Sequence, residues 1–314
     1  MRAAIISAGT NSCRLLIARY ENGDVRAEHH DIRGTRLGEG AGASGALSTA
    51  AMERTLDAMA EFALLGRRAD QLFVIGTCAL RDASNAADFE ARANQITGTT
   101  MRVLTGEEEA RASFDGALWA LASAGKTPRR WLTVVDVGGG STEIAVGEIQ
   151  DRLDGRNARV QSLQIGAVRM TERFFKHDPP LVPEITACRT AVRLELAPIA
   201  LEQLAPGALA GSGGALAFVG GTADTAARVL HGYGSSDIRV ADIRLADLGD
   251  LLQLVGSLPT AERKRLHGLP ESRADIFPAG LVIIDEVARH AQASSFFVCE
   301  ADLLVGYLRE RLAG

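Results

Sequence analysis

The stretch Leu132-Thr-Val-Val-Asp-Val-Gly-Gly-Gly-Ser-Thr-Glu-Ile-Ala-Val-Gly-Glu148 decides the fold. Residues 131–136 form an apolar, β-branched run of the length of a buried strand, and 142–147 resume as a second strand after the glycines. An ordinary hairpin needs a two-residue turn. Consecutive glycines therefore leave backbone N–H groups uncovered for another purpose. Such a nest can surround phosphate oxygens with donors, and Ser141 and Thr142 add hydroxyls. Asp136 and Glu143 stand at the two ends of the turn, so a hairpin brings both carboxylates to one mouth. An oxygen-only pair suits Mg²⁺, which keeps waters and reaches phosphate through them. A flexible hairpin with two solvated acids is the plainer reading of the same residues.

Working outward, the same pattern stands at the start of the chain. Residues 2–8 and 13–20 read as strands around the polar turn Gly9-Thr10-Asn11-Ser12. Strand, glycine-containing turn and strand thus recur, a repeat of pattern and not of identity. Alone, the first turn also fits a polar hairpin tip; paired with the second across a cleft, it becomes another phosphate clamp. A third turn, Gly220-Gly221-Thr222, follows an apolar strand at 215–219 and opens a helix. A glycine pair there lets the backbone approach an anion at a helix N-terminus, or merely turns the chain.

Between the first two turns, 23–32 reads as a strand, glycine-rich 33–47 as a loop and 48–66 as a helix capped by Ser48. A strand at 71–76, a helix at 85–98 and a strand at 101–104 follow. Glu107, Glu108 and Glu109 begin a helix reaching Gly125 and complement its dipole; the residues alone single out none of them as a base. Arg81 follows a strand and by itself reads equally as a surface arginine. The segment 126–130 reads as a domain joint. Beyond the opening hairpin come a strand at 159–164 and helices at 167–176 and 184–201, with Gly211, Gly213 and Gly214 as loop glycines. After strand 215–219, helices run to the end, including 242–256, 274–290 and 301–313.

Composition excludes several classes. The 314 residues include 33 glycines, 9 prolines and 4 cysteines, are 46% hydrophobic and carry a net charge of -5. Glycine without period and little proline exclude collagen; the apolar content excludes disorder; sparse cysteine excludes a disulfide scaffold. The acidic balance argues against a nucleic-acid binder. Cys13, Cys78, Cys188 and Cys299 form no CxxC pair and read as reduced, buried thiols of a cytoplasmic protein. The first apolar run breaks at Thr10, and no run reaches the roughly 20 residues of a membrane span. Neither a signal peptide nor a membrane partner is expected. The histidines show no metal spacing.

The segments GTNS with RLL, TCALRDASN, GEEEAR, VVDVGGGSTEIAVGE, SLQIGAVRMTERF, VGGT and RADIFPAG occur in this order from residue 3 to about residue 310. Together they resemble the exopolyphosphatase and guanosine-pentaphosphate phosphohydrolase (Ppx/GppA) family in its short, two-domain form. The resemblance implies an α/β protein of two actin-like ATPase (ribonuclease H-like) domains, each a five-stranded mixed sheet, with the active-site cleft between them. The expected limits are 1–125 and 126–300, with a C-terminal helix, about 300–314, packing on the first domain.

The resemblance also assigns roles. Glu109 would activate water. Asp136 and Glu143 would serve Mg²⁺ or Mn²⁺. Thr10, Asn11 and Ser12, Arg81, Gly138, Gly139, Gly140 and Ser141, Gly166, and Gly220, Gly221 and Thr222 would surround phosphate. The implied reaction is release of terminal orthophosphate from inorganic polyphosphate. Guanosine pentaphosphate is the alternative substrate, and family habit leaves a homodimer open. Two positions depart from the pattern. Ser7 stands where an aspartate is expected, and Leu303-Leu304-Val305-Gly306 replaces Leu-Arg-Glu-Gly. Loss of the acid motivates a second reading, a low-activity sensor of polyphosphate or guanosine tetraphosphate.

Overall fold

The computed structural model describes residues 1–149, 158–200, 214–232 and 240–313. Its packing divides the chain into two units, Met1–Glu109 with Tyr307–Gly314, and Ala110–Gly306. The first unit contains β1 (Arg2–Ala8), β2 (Cys13–Glu21), β3 (Asp24–Arg33), α1 (Ala41–Ser44), α2 (Thr49–Gly66), β4 (Gln71–Gly76), α3 (Cys78–Asp82), α4 (Ala86–Thr97) and β5 (Arg102–Val103). Helix α5 (Gly106–Ser123) runs across the division. The second unit contains β6 (Trp131–Val137), β7 (Thr142–Glu148), β8 (Arg159–Leu163), α6 (Ala167–Phe174), α7 (Val182–Leu196), β9 (Gly214–Val219) and α8 (Gly220–His231). It continues with β10 (Val240–Arg244), α9 (Leu245–Ser257), α10 (Thr260–Arg263), α11 (Phe277–His290), β11 (Ser295–Cys299) and the start of α12 (Leu303–Leu312).

The first sheet has the order β3-β2-β1-β4-β5; β1 and β2 pair antiparallel, whereas β4 is parallel to β1. The second sheet has the order β10-β11-β9-β6-β7-β8, with β6 antiparallel to β7 and parallel to β9. Removing β10 leaves β8-β7-β6-β9-β11, the order of the first sheet. The repeat legible in the opening hairpins is therefore a repeat of mixed α/β topology. In each unit the apolar first strand is central because it is covered on both faces.

Packing follows the sequence pattern. Ser48 caps α2 by accepting the Ala51 N–H at 3.2 Å. Met52, Leu56, Met59 and Phe62 recur at helical spacing and pack with Ala4, Ile6 and Ala8 of β1. Truncating fully buried Phe62 to alanine would cost about 3–5 kcal/mol. In the second unit Leu132 and Val134 of β6 pack with Phe114, Leu118 and Leu121 of α5, while Val135 and Val137 enter a different core cluster. The alternation assigns opposite strand faces to opposite helical layers.

Four expectations are corrected. The second sheet has six strands, not five, because Val240–Arg244 is an edge strand antiparallel to β11 and the helix starts only at Leu245. The alternating burial of that segment is the period-two pattern of a half-covered strand. Ser295–Cys299, within the stretch read only as helices, forms β11 beside β9. Gly214 opens β9 instead of lying in a loop, whereas Gly211 and Gly213 are outside the described residues. Helix α7 ends at Leu196; Leu201, the expected end, is likewise outside them.

The altered C-terminal motif has a packing explanation. A β-carbon on Gly306 would overlap the Ala112 carbonyl, and one on Gly116 would meet the Asp302 backbone. These glycines let α5 and α12 approach backbone to backbone. Leu304 is buried and Val305 packs on an apolar cluster, so the two apolar replacements enter an apolar environment. Beyond them Tyr307 meets the Phe73 ring edge-on, with centroids 5.8 Å apart. Among the described residues no helix is long and apolar enough to cross a membrane.

Candidate active site

In the first unit, β1 and β2 are joined by the turn Gly9–Ser12, closed by the Gly9 N–H donating to the Ser12 carbonyl at 3.0 Å. The carbonyls of Thr10 and Asn11 also have partners. Gly38 N–H donates to Thr10 O and Arg36 N–H to Asn11 O, each at 2.9 Å. Among the described residues, no protein acceptor takes the N–H groups of Thr10, Asn11 or Ser12. Asn11 goes further: both its Oδ1 and Nδ2 are buried without a hydrogen-bond partner. Buried polar atoms are rarely left unpaired, so this amide is built to meet something polar.

The second unit repeats the device. Gly138 N–H donates to Ser141 O at 3.0 Å, matching the closure of the first turn. The N-terminus of α6 holds the loop carbonyls: Ala167 N–H binds Gly138 O and Val168 N–H binds Gly139 O, both at 2.9 Å. Arg169 Nε donates to Gly140 O at 2.7 Å. With the carbonyls turned away, the N–H groups of Gly139, Gly140 and Ser141 have no protein acceptor among the described residues. A side chain on Gly166 would overlap Gly139 and Gly140, so glycine is what lets α6 close on the turn.

The two turns are equivalent in register but differ in charge. Ser7 faces Arg14 across β1 and β2, as Asp136 faces Glu143 across β6 and β7. Directly paired residues present side chains on one face. For Asp136 and Glu143 this is the α5 face, shared with Leu132, Val134 and Ala145. Asp136 accepts the Ser113 hydroxyl of α5 at 2.6 Å, and Glu143 accepts the Ser162 hydroxyl at 2.8 Å. Two adjacent carboxylates, each steadied by a hydroxyl, offer the oxygen-only donors that suit a hard divalent cation. Among the described residues no group of three or more His, Cys, Asp or Glu forms a protein-only cage.

Asp136 also lies against the third turn. Gly220 is in the left-handed region at φ 86°, and a β-carbon there would overlap the Asp136 carboxylate. Thr222 is buried beside Gly280, whose own β-carbon would meet the threonine methyl. Asp136, Glu143, Gly138–Ser141, Gly166 and Gly220–Thr222 thus gather around one end of the second sheet.

In the first unit, α3 is adjacent to turn 9–12: a β-carbon on Gly9 would be 3.9 Å from Thr77 Oγ1. Arg81, on α3, donates to the Leu104 carbonyl at 2.7 Å and forms an ion pair with Glu109. Arg81 is therefore not a lone surface arginine. The geometry also separates the three glutamates. Glu107 is exposed. Glu108 closes a capping box, accepting from Thr105 N–H at 2.9 Å while Thr105 Oγ1 accepts from its N–H at 3.2 Å. Burial pushes its carboxyl up, but the Thr105 hydrogen bonds and Arg102 hold it below the ordinary carboxylate value. Glu109 alone is buried, 7% exposed and bound to an arginine.

Arg14 and Arg273 were not among the expected site residues. Arg14 occupies the register position of Glu143, making the first turn basic where the second is acidic. The Arg273 guanidinium fills the space a β-carbon on Gly221 would take. Both stand inside motifs quoted above, RLL and RADIFPAG, but only tertiary packing brings their charge to a turn.

Two mixed sheets of matching order, each with a glycine-containing turn after its first strand, define the class: an α/β protein of two actin-like domains. The profile of the Ppx/GppA phosphatase family matches residues 16–312, and the chain belongs to that family. It is 35% identical to exopolyphosphatase 2 of Mycobacterium tuberculosis, over 97% of each protein. It is 31% identical to a guanosine-5'-triphosphate,3'-diphosphate pyrophosphatase of Vibrio cholerae, over 90% of this chain and 53% of that protein. The chain thus spans about half the length of that relative. The crystal structure of the Aquifex aeolicus Ppx/GppA family member superposes with a TM-score of 0.79 at 26% identity, over 100% of this chain and 98% of that one. The chain is accordingly a phosphohydrolase acting on phosphoanhydride bonds.

Proposed function

We propose that this protein releases terminal orthophosphate from inorganic polyphosphate in the cytoplasm. One observation carries the reading: each unit has a turn whose carbonyls are tied to the protein and whose N–H groups are left for an anion. Donors fixed before substrate arrives need little reorganisation during reaction. The relative of matching length, exopolyphosphatase 2, bears a name that fits this substrate.

In this reading Thr10–Ser12, Gly138–Ser141 and Gly220–Thr222 hold phosphoryl oxygens, with Gly166 keeping its turn closed. Arg81 neutralises phosphate charge and steadies Glu109. Glu109 accepts a proton from water as that water attacks the terminal phosphorus. The bond to the bridging oxygen breaks, and the shortened chain leaves with that oxygen. Asp136 and Glu143 would hold Mg²⁺ or Mn²⁺, which when bound offsets charge on the transferring group. No nucleic acid or membrane enters the reaction.

Phosphate release from long-chain polyphosphate with Mg²⁺ tests the reading. Glu109→Gln should be slower by about 10²–10⁴-fold. Equal release by both proteins sinks the assignment of Glu109, and no release by the unaltered protein sinks the polyphosphate reading. The Vibrio cholerae relative makes guanosine pentaphosphate the competing substrate, and competition between the two separates them. Ser7→Asp addresses the sensor alternative, for which a large Mg²⁺-dependent gain in rate would speak.

A further inference from the structure

The glycine-rich segment Gly34–Gly40 has no place in the roles above, yet it is bound to the first anion turn. Its Arg36 and Gly38 N–H groups hold the Asn11 and Thr10 carbonyls, each at 2.9 Å. It does for the first turn what the N-terminus of α6 does for the second. The segment is itself anchored. Leu37 is fully buried in the core of the first unit. Arg54 of α2 donates to the Thr35 carbonyl at 3.1 Å and pairs with Glu39 at 2.8 Å. Arg36 is held at φ 53°, a left-handed conformation that a non-glycine residue adopts only when its surroundings impose it.

Gly38 is the point of closest approach. A β-carbon there would overlap the Thr10 methyl, while the other near atoms, Ala79 Cβ and Thr10 Cβ, would be at ordinary contact, 3.4 Å. Its φ lies outside the left-handed region, so its backbone accepts alanine. The obstacle to a side chain is therefore one methyl group of the anion turn.

We propose that Gly38 is a positioning residue of the phosphohydrolase site: the close seat of Gly38 on Thr10 sets the peptide orientation of turn 9–12 and so the strength of phosphate binding. This rests on the reading of turn 9–12 as a phosphate site. Displacing such a turn by a fraction of an ångström should weaken substrate binding more than it slows the bound reaction.

The test is a double-mutant cycle on Gly38→Ala and Thr10→Ser, which removes the obstructing methyl and keeps the hydroxyl. Tripolyphosphate binding is measured by calorimetry and polyphosphate hydrolysis by KM and kcat. Gly38→Ala should weaken binding and raise KM about tenfold or more, with kcat moving far less. Gly38→Ala with Thr10→Ser should return to within about threefold of Thr10→Ser alone, because independent sites would add instead. Should Gly38→Ala fail to fold, Arg54→Met, at an exposed position, loosens the same segment and should raise KM severalfold with kcat kept. The proposal is overturned if Gly38→Ala or Arg54→Met, whichever folds, leaves KM and binding unchanged. It is equally overturned if the double variant stays as weak as Gly38→Ala. An unaltered protein that neither binds tripolyphosphate nor hydrolyses polyphosphate would overturn the function itself, and this proposal with it.

Discussion

Arg81 and Glu109 form an ion pair between α3 and the start of α5, with the arginine also held by the Leu104 carbonyl. The pair matters because it keeps a buried charge neutralised. Arg81→Met should therefore cost stability, about 3 kcal/mol, because an unpaired carboxylate stays buried. Adding Glu109→Gln removes the charge that needed a partner. The double variant should recover part of the lost unfolding free energy while remaining inactive. Denaturant titration of the four proteins checks this, and a double variant less stable than Arg81→Met would refute it.

Gly220 faces two penalties if substituted. Its φ of 86° strains any L-residue, and its β-carbon would overlap the Asp136 carboxylate. Gly220→Ala should lose about 1–2 kcal/mol from the backbone alone and most of its activity from the displaced Asp136. Gly232 is the control: it has a φ of 67° and open space around its β-carbon position. Gly232→Ala should show a similar backbone cost with activity kept. Thermal melts and phosphate release on both variants separate strain from displacement.

Burial pushes the thiols of Cys13, Cys188 and Cys299 up to about 12. The thiolate is the reactive form. At pH 8.5 in the folded protein these three cysteines should resist iodoacetamide, and all should react after unfolding. Peptide mass spectrometry reads this directly, and rapid native labelling at any of the three would contradict it.

Glu184 stands in the first turn of α7, and its carboxyl is lowered to about 2 from 4.5. His177 is the main cause, followed by the N–H groups of Leu181 and Lys176. A carboxyl lowered in the folded state contributes stability that is full above the unfolded value. That contribution disappears as pH falls through the folded value. The stability difference between the native protein and Glu184→Gln should shrink as pH falls from about 4.5 to about 2. Urea titrations across that window test it; a difference that grew on acidification would reverse the assignment.

Much of the architecture was legible because its signals are local. Buried first strands are continuous apolar runs, α2 carries its cap and helical spacing, and the two turns announce themselves by residue type. Val240–Arg244 was harder, because a short alternating segment directly before a helix reads as the helix's first turn. Ser295–Cys299 was missed because an apolar run of five residues has no period long enough to distinguish strand from helix; its neighbour β9 decides it.

The chain by itself determined where the turns are, that they expose backbone, and which carboxylates flank the second one. These depend on residues a few positions apart, whose conformational limits are intrinsic. Tertiary structure decided which way the turns face, since the partners of their carbonyls come from Arg36 and Gly38 in one unit and from Ala167 to Arg169 in the other. It also chose Glu109 over its two neighbours. All three acids complement the helix dipole equally, and only packing against Arg81 separates a buried, arginine-paired carboxylate from a cap and an exposed charge.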